Sequence, residues 1–446
     1  MNQPKILILN QPFDNLTGGG ITLSNLFDGW DADKLAIICA AQLISRSTNF
    51  EKCNNYYQLG NMEQKWRFPF SVFKKNNKSG PISGQSNYDD FLKVDGKKIR
   101  MKSKIINNYF TPFIKYSGLH QVLFGLEITR PLMDWVHSFK PALIYSQAQT
   151  LQEIKFCIGI HSKLNIPMIF HMMDDWISLG GQSSISRKLW KKKTEEHFKS
   201  LLLRCNQLLT ISDYMSDEYF KRYGLKSISF HNPVDTDFWK KEQRNCYSVG
   251  SSPKILYAGR VGLGIDSSLL TMAKAVRDIN KIQGSNLKFV LQTESIPNWF
   301  NQFDCVIHRD LVSYDSLPKI FSEADLLFLP YDFSPESIAF IQFSMPTKAS
   351  EYMICGTPIL IFAPEETAIV KYANNFNWAK VVVIDDLEVL KVALKEILFN
   401  TDLRKILSEN AINLSEKYHS KFIVQKNFYD ILRENIDKNK ITGLNG

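Results

Sequence analysis

The chain has 446 residues, too many for one ordinary core, so two α/β domains are the expected organisation. Hydrophobic residues make up 44% and charged residues 22%, which excludes a disordered chain, and no apolar run reaches the roughly 18 residues of a membrane span. The formal net charge of +9 comes without a recognisable nucleic-acid module, so no nucleic-acid partner is expected.

In chain order, Lys5 to Leu9 reads as a buried parallel strand. It lacks the length and cleavage pattern of a signal peptide, so the chain is expected to be cytoplasmic. The turn Gly18-Gly19-Gly20 follows, and a helical pattern resumes at Ile21 to Leu26. Strand, glycine loop and helix begin a doubly wound fold, although three glycines alone mark only a tight turn. Leu35 to Ala40 is the next strand. A polar, basic stretch at about 73–104 reads as a long loop inserted in the first domain. It holds Lys97, Lys98, Arg100, Lys102 and Lys104; a second basic cluster is Lys191 to Lys193. Such clusters are either solvated surface or attracted to anionic lipid head groups. Ala142 to Tyr145, Pro167 to Phe170 and Leu208 to Ile211 are further strands.

The polar stretch Lys240 to Pro253 marks the boundary. The expected division is a first domain at 1–240, a linker at 241–253, a second domain at 254–418 and a C-terminal helix at 419–446. After the linker the cycle restarts. Lys254 to Tyr257 is a strand, Ala258-Gly259-Arg260 a turn and Ser267 to Ile279 a helix. Phe289 to Gln292, Leu326 to Leu329 and Pro358 to Phe362 continue the second sheet. Val424, Phe428, Ile431 and Leu432 form one face of an amphipathic helix that returns to the first domain. Two such halves imply a cleft, with ligands at the carboxyl ends of the strands. The seven cysteines are scattered, with no CxxC pair and no HExxH helix, so reduced thiols and no metal are expected.

The most informative segment runs from Ser344 to Leu360. Pro346 suits the first turn of a helix capped by Ser344, and Gly356 suits the left-handed position past its end. Ala349, Tyr352 and Met353 share a core face, while Thr347, Lys348 and Glu351 share another. Free N–H groups at the helix start and the Lys348 charge suit a pyrophosphate, and Glu351 suits the vicinal hydroxyls of a ribose. A surface Lys–Glu pair explains the same pattern.

This segment resembles the C-terminal signature of family 4 retaining glycosyltransferases, which have the two-domain GT-B fold. Flanking stretches are similar to the same family: Ile211-Ser212 with Met215 and Glu218, His231 to Trp239, Ile255 to Arg260, Leu317 to Phe321, and Ala324 to Pro330. The resemblance implies two Rossmann-like domains facing each other across a cleft, the first on the acceptor side and the second binding a nucleotide sugar. It implies catalytic roles for His171, Arg260 and Lys348. The implied donor site comprises Gly18, Gly19, Gly20, Arg260, Val312, Glu336, Thr347, Lys348 and Glu351. For Asp174, Asp175 and Trp176 an acceptor role stands beside helix capping, and a structural role stands beside the catalytic one for His171.

Two positions depart from the family pattern. Phe343 stands where a first glutamate is usual, with Glu336 as its substitute, and Leu263 stands near a usual lysine. The implied reaction moves a hexose from a nucleotide-diphosphate sugar to a saccharide acceptor, lipid-linked, with retention and without a metal or other cofactor. The departing phosphate would take the acceptor proton. The setting is surface polysaccharide assembly, peripheral at the inner face of a membrane. Other readings are a silent GT-B binding protein and a nucleotide-sugar epimerase.

Overall fold

The computed structural model describes residues 3–14, 17–45, 47–67, 77–82, 124–178, 185–262 and 264–443. Leu263 and most of the expected insert, with its basic residues Lys97 to Lys104, lie outside them.

The chain divides into two compact units: Met1–Phe230 with Lys426–Gly446, and His231–Gln425. The break falls ahead of the expected linker because the residues around Trp239 pack on the second unit. Trp239 is fully buried there against Phe321, in the cluster that also holds Tyr352 and Met353. The C-terminal helix, Lys421–Gly443, joins the first unit from Lys426 onward, later than the expected 419. Phe428 carries the expected apolar face, packing edge-on against Phe27, Tyr145 and Phe230.

The first unit holds an eight-stranded sheet in the order β10-β9-β8-β7-β1-β2-β3-β5. Its strands are β1 (Ile6–Leu9), β2 (Leu35–Ala40), β3 (Asn55–Leu59), β5 (Gly80–Ile82), β7 (Leu143–Ser146), β8 (Met168–Met172), β9 (Gln207–Thr210) and β10 (Ser227–Ser229). Only the β3–β5 pair is antiparallel. A separate ribbon pairs β4 (Gln64–Trp66) with β6 (Phe124–Leu126). The β1, β2 and β7 residues are buried throughout, as continuous apolar runs in a covered parallel sheet should be.

The second unit holds a six-stranded parallel sheet in the order β13-β12-β11-β14-β15-β16. The strands are β11 (Lys254–Ala258), β12 (Lys288–Gln292), β13 (Val306–Arg309), β14 (Leu326–Pro330), β15 (Ile359–Phe362) and β16 (Lys380–Val382). The chain winds outward from β11 on one side and from β14 on the other. The carboxyl ends of these two neighbours form the switch point where such sheets bind ligands.

Candidate functional site

At the switch point of the second unit, β11 ends in Ala258-Gly259-Arg260. The helix Lys348–Ile354 brings Lys348 onto it, and Lys348 Nζ donates to Ala258 O at 2.8 Å. The ammonium also sits over the Tyr257 ring, 4.1 Å from its centroid. Tyr257 Oη donates in turn to Arg260 O, which fixes the arginine turn.

Gly259 leaves the space in which the Lys348 ammonium meets the Tyr257 ring. Its φ is +153°, and a Cβ there would lie 2.5 Å from Lys348 Nζ and 3.0 Å from Tyr257 Oη. Gly259→Ala is therefore expected to displace the ammonium and strain the backbone by about 1–3 kcal/mol. Thermal melting should show the strain; an unchanged melting temperature would mean that the turn absorbs the added Cβ.

Glu351 lies one turn past Lys348 and is 9% exposed. Trp239 Nε1 donates to Tyr314 Oη at 3.1 Å, and the Tyr314 hydroxyl donates to Glu351. Burial raises the Glu351 pKa to about 7, against the opposing pull of Tyr314 and Lys348. Burial and then the Arg260 charge lower the Lys348 pKa to about 7, against the pull of Glu351. The two groups thus titrate as a coupled pair near neutrality. Perturbed groups converging at a switch point make this the candidate ligand site of the second unit.

The helix itself differs from the expected one. It starts at Lys348 rather than at Pro346, with Thr347 at its cap position and no side-chain cap. Ser344 Oγ donates to Phe340 O at 3.4 Å instead of capping. Ala349 N is taken by Pro346 O, so one of the N–H groups expected free at the helix start is already engaged. Thr347 is half-buried, with its carbonyl held by Asn232 Nδ2 at 3.1 Å. Gly356 has a φ of +78°, the expected left-handed end. Arg260 is exposed, as are Val312 between β13 and β14 and Glu336 in the first turn of the helix Pro335–Ile341. Phe343 is buried, 3% exposed.

The remaining site residues belong to the first unit. Gly18 to Gly20 form the first turn of the helix Gly18–Leu26, not a loop ahead of it. A Cβ on Gly20 would lie 2.4 Å from Asp14 Cβ, so this glycine permits close packing on the β1 turn. His171, on β8, is 1% exposed and shares a 2.6 Å hydrogen bond through Nδ1 with Tyr145 Oη. Its Nε2 is buried without a well-formed hydrogen bond among the described residues. Burial lowers its pKa to about 3 despite a smaller opposing pull from the Thr210 backbone, so the imidazole is neutral at pH 7.

Asp175, expected beside an acceptor, is instead 2% exposed and consumed by structure. It accepts from Tyr219 Oη at 2.9 Å, Arg222 Nη1 at 2.9 Å and Ser178 Oγ at 2.5 Å. Asp174 is half-buried with its carbonyl accepting from Trp176 N, and the buried Trp176 Nε1 has no hydrogen-bond partner among the described residues. Tyr257, Tyr314 and Trp239 are the site residues that sequence reasoning missed; Tyr257 and Trp239 stood inside quoted motifs. Among the described residues, no group of three or more His, Cys, Asp or Glu is placed to hold a metal ion. No helix there is long and apolar enough to cross a membrane.

No family model and no curated protein matches the chain. Solved structures do. A sucrose-phosphate synthase from Thermosynechococcus elongatus is 12% identical, over 97% of this chain and 99% of that one, with a TM-score of 0.59. Anabaena HepE in complex with UDP is 11% identical, over 96% and 100%, with a TM-score of 0.57. A putative UDP-N-acetylglucosamine 2-epimerase from Listeria monocytogenes is 8% identical, over 98% of each chain, with a TM-score of 0.51. The fold is GT-B. Both sheets, with their switch points, are those of a doubly wound α/β protein.

Proposed function

We propose that the chain is a glycosyltransferase that moves a hexose from a nucleotide-diphosphate sugar to a saccharide acceptor, with retention and without a metal. The observation that carries this reading is the convergence of Arg260, Lys348 and Glu351 on the β11–β14 switch point, with Gly259 clearing space for the ammonium. The two cations face the donor diphosphate and stabilise it as it leaves; Glu351 accepts from the ribose hydroxyls. The departing phosphate takes the acceptor proton on the same face. Two solved structures of this fold support the donor class: HepE, crystallised with UDP, and a sucrose-phosphate synthase.

The test is calorimetry of UDP, GDP, ADP and their sugars against wild type, Glu351→Ala and Arg260→Ala. One nucleotide sugar should bind wild type and be bound measurably more weakly by both variants; undiminished affinity in both would overturn the placement.

Affinity should also follow a bell in pH. An anionic diphosphate favours charged Lys348, so binding weakens as pH rises above about 7. Ribose hydroxyls favour ionised Glu351, so binding weakens as pH falls below about 7. Glu351→Gln should remove the acid limb and leave the alkaline one; a flat profile between pH 6 and 8 would contradict the coupled pair.

For the acceptor we propose a lipid-linked saccharide of surface polysaccharide assembly, met at an anionic membrane surface. Lys192 and Lys193 are exposed on the helix Ile185–Leu202. Burial and the charges of Lys193 and Arg67 lower the pKa of Lys155, so three cations crowd one face of the first unit. Sedimentation with anionic liposomes at two salt concentrations tests this contact. A second reading, an epimerase on the same scaffold, has the Listeria structure in its favour. Donor alone distinguishes them: an epimerase changes the donor sugar, and a transferase only hydrolyses it slowly.

A further inference from the structure

The strand β16 closes the second sheet, and among the described residues no strand pairs with its outer side. Its inner side is used: Ala363 N donates to Val382 O at 3.1 Å, in the register that sets Phe362 beside Val382. Backbone groups alternate from side to side along a strand, so the N–H and C=O of Val381 and Val383 point to the open edge. The run Lys380-Val381-Val382-Val383-Ile384 is β-branched from its second residue to its last, a composition that favours further pairing.

A groove of about 450 Å³ lies between this strand and the helix Leu387–Phe399, lined by Val382, Ile384, Val389 and Val392 and by Lys380 and Glu396. Ile384 is 57% exposed and Val392 66%. Val389, Val392 and Phe399 are all exposed and share one face of the helix, which buries Leu390, Leu394 and Ile397 in the core of the sheet. A lysine on an edge strand ordinarily discourages pairing. Here Lys380 turns onto the helix, its Nζ 2.6 Å from Glu396 Oε2, and leaves the edge backbone uncovered.

The charges say what fits this edge. Lys380 stands at the start of the run, and Asp385 and Asp386 follow its end. A second copy laid antiparallel brings each Lys380 to the other's acidic end, whereas a parallel copy sets like against like. Asp386 caps the helix through Oδ1, which accepts from Glu388 N at 2.8 Å and Val389 N at 2.9 Å, so Oδ2 is left for a second cation. Glu388 and Glu396 are already paired with Lys391 and Lys380, so the rims of two copies meet without unpaired carboxylates.

We propose that the chain dimerises through β16, two copies pairing antiparallel about a two-fold axis at Val382. Val381 of each copy exchanges both backbone hydrogen bonds with Val383 of the other, and Val382 meets its own counterpart across the axis. The pairing stops at Ile384, whose carbonyl accepts from Asp386 N at 2.8 Å and turns the chain away. Lys380 then lies diagonal to the other copy's Asp386, a distance that a long side chain spans. A stable interface buries roughly 1,200–2,000 Å², more than two short strands supply, so the stripes of Val389 and Val392 close over the groove as well. The strand β15 lies between β16 and the switch-point strand β14, so the pairing does not use the Lys348 site.

Sedimentation velocity of the full chain from about 1 to 100 µM tests this, and a monomer–dimer equilibrium is expected within that range. Val392→Glu, at an exposed position, and Val383→Pro, which removes an outward N–H, should each raise the dissociation constant about tenfold or more. Melting temperatures of the dilute variants check that both fold. Hydrogen exchange of wild type should slow at the Val381 and Val383 amides when the dimer dominates. A chain that stays monomeric at the highest concentration would overturn the inference, and that is the result expected if the edge serves an extended peptide or another protein. A dimer that both folded variants keep, or exchange at Val381 and Val383 that is equal in monomer and dimer, would overturn it too.

Discussion

Lys348→Ala should lower the transfer rate by roughly 10²–10³-fold, about 2.7–4 kcal/mol, while leaving the fold intact. The charge that develops in the reaction is on the departing diphosphate, and the Lys348 ammonium is fixed before the donor arrives. Ala258 O, the Tyr257 ring and the space left by Gly259 hold it in place. A preorganised charge in a half-buried place acts through a lower dielectric than one in water, so its loss weighs more in the transition state than in the ground state. Arg260 is exposed, and its loss should cost less, about tenfold. Lys348→Arg should not restore activity, because the planar fork does not fit the place of a point charge beside Gly259. Steady-state kinetics with the donor found by calorimetry gives kcat and KM for the three variants, and melting temperatures control for folding. A Lys348→Ala enzyme with wild-type kcat would end the donor-site reading. Arg260→Ala falling further than Lys348→Ala would move the diphosphate to the exposed side of the turn.

The Lys348 site was legible in the sequence because its parts lie on short, regular segments. The apolar run that becomes β11, the Gly259 turn and the three- and four-residue spacing around Lys348 need no tertiary information. Tyr314 was not legible. It reaches Glu351 from the irregular stretch between β13 and β14, and the contact exists only once Trp239 has anchored it. The domain boundary was misplaced for a similar reason. Polarity marks where a chain is solvated, whereas Trp239 decides which core the preceding residues join. The short edge strands β5, β10 and β16 also escaped, since three residues carry no period. The cap was misjudged because Pro346 reads as a helix start, yet the turn it makes with Ala349 precedes the helix. His171 shows the limit of position alone. It was expected to end a strand but lies within β8, which runs on to Met172, and its imidazole is sealed against Tyr145.

Asp175→Ala should destabilise the first unit by about 3–5 kcal/mol, the cost of stranding a buried partner charge. Asp175 sits just beyond β8, with a side chain 1% exposed, facing an Arg222 side chain that is 25% exposed. Burial works against the Arg222 charge; Asp175 and Glu218 outweigh it and raise the Arg222 pKa. Removing Asp175 leaves Tyr219 Oη without its acceptor inside an aromatic cluster with Phe198 and Tyr223. Glu218, 2.7 Å from Arg222, keeps part of the pairing, so the lower end of the range is expected. Asp175→Asn should cost less, because the amide oxygen still accepts from Tyr219. The double variant Asp175→Ala, Arg222→Ala should be less unstable than the sum of its singles, because neither charge is then left alone. Chemical denaturation followed by tryptophan fluorescence measures this. The chain has eight tryptophans, spread over both units, so single-tryptophan backgrounds that keep Trp30 in the first unit or Trp299 in the second are needed to separate the two transitions. If Asp175→Ala unfolds like wild type while saccharide transfer is lost, the carboxylate serves the acceptor rather than the fold.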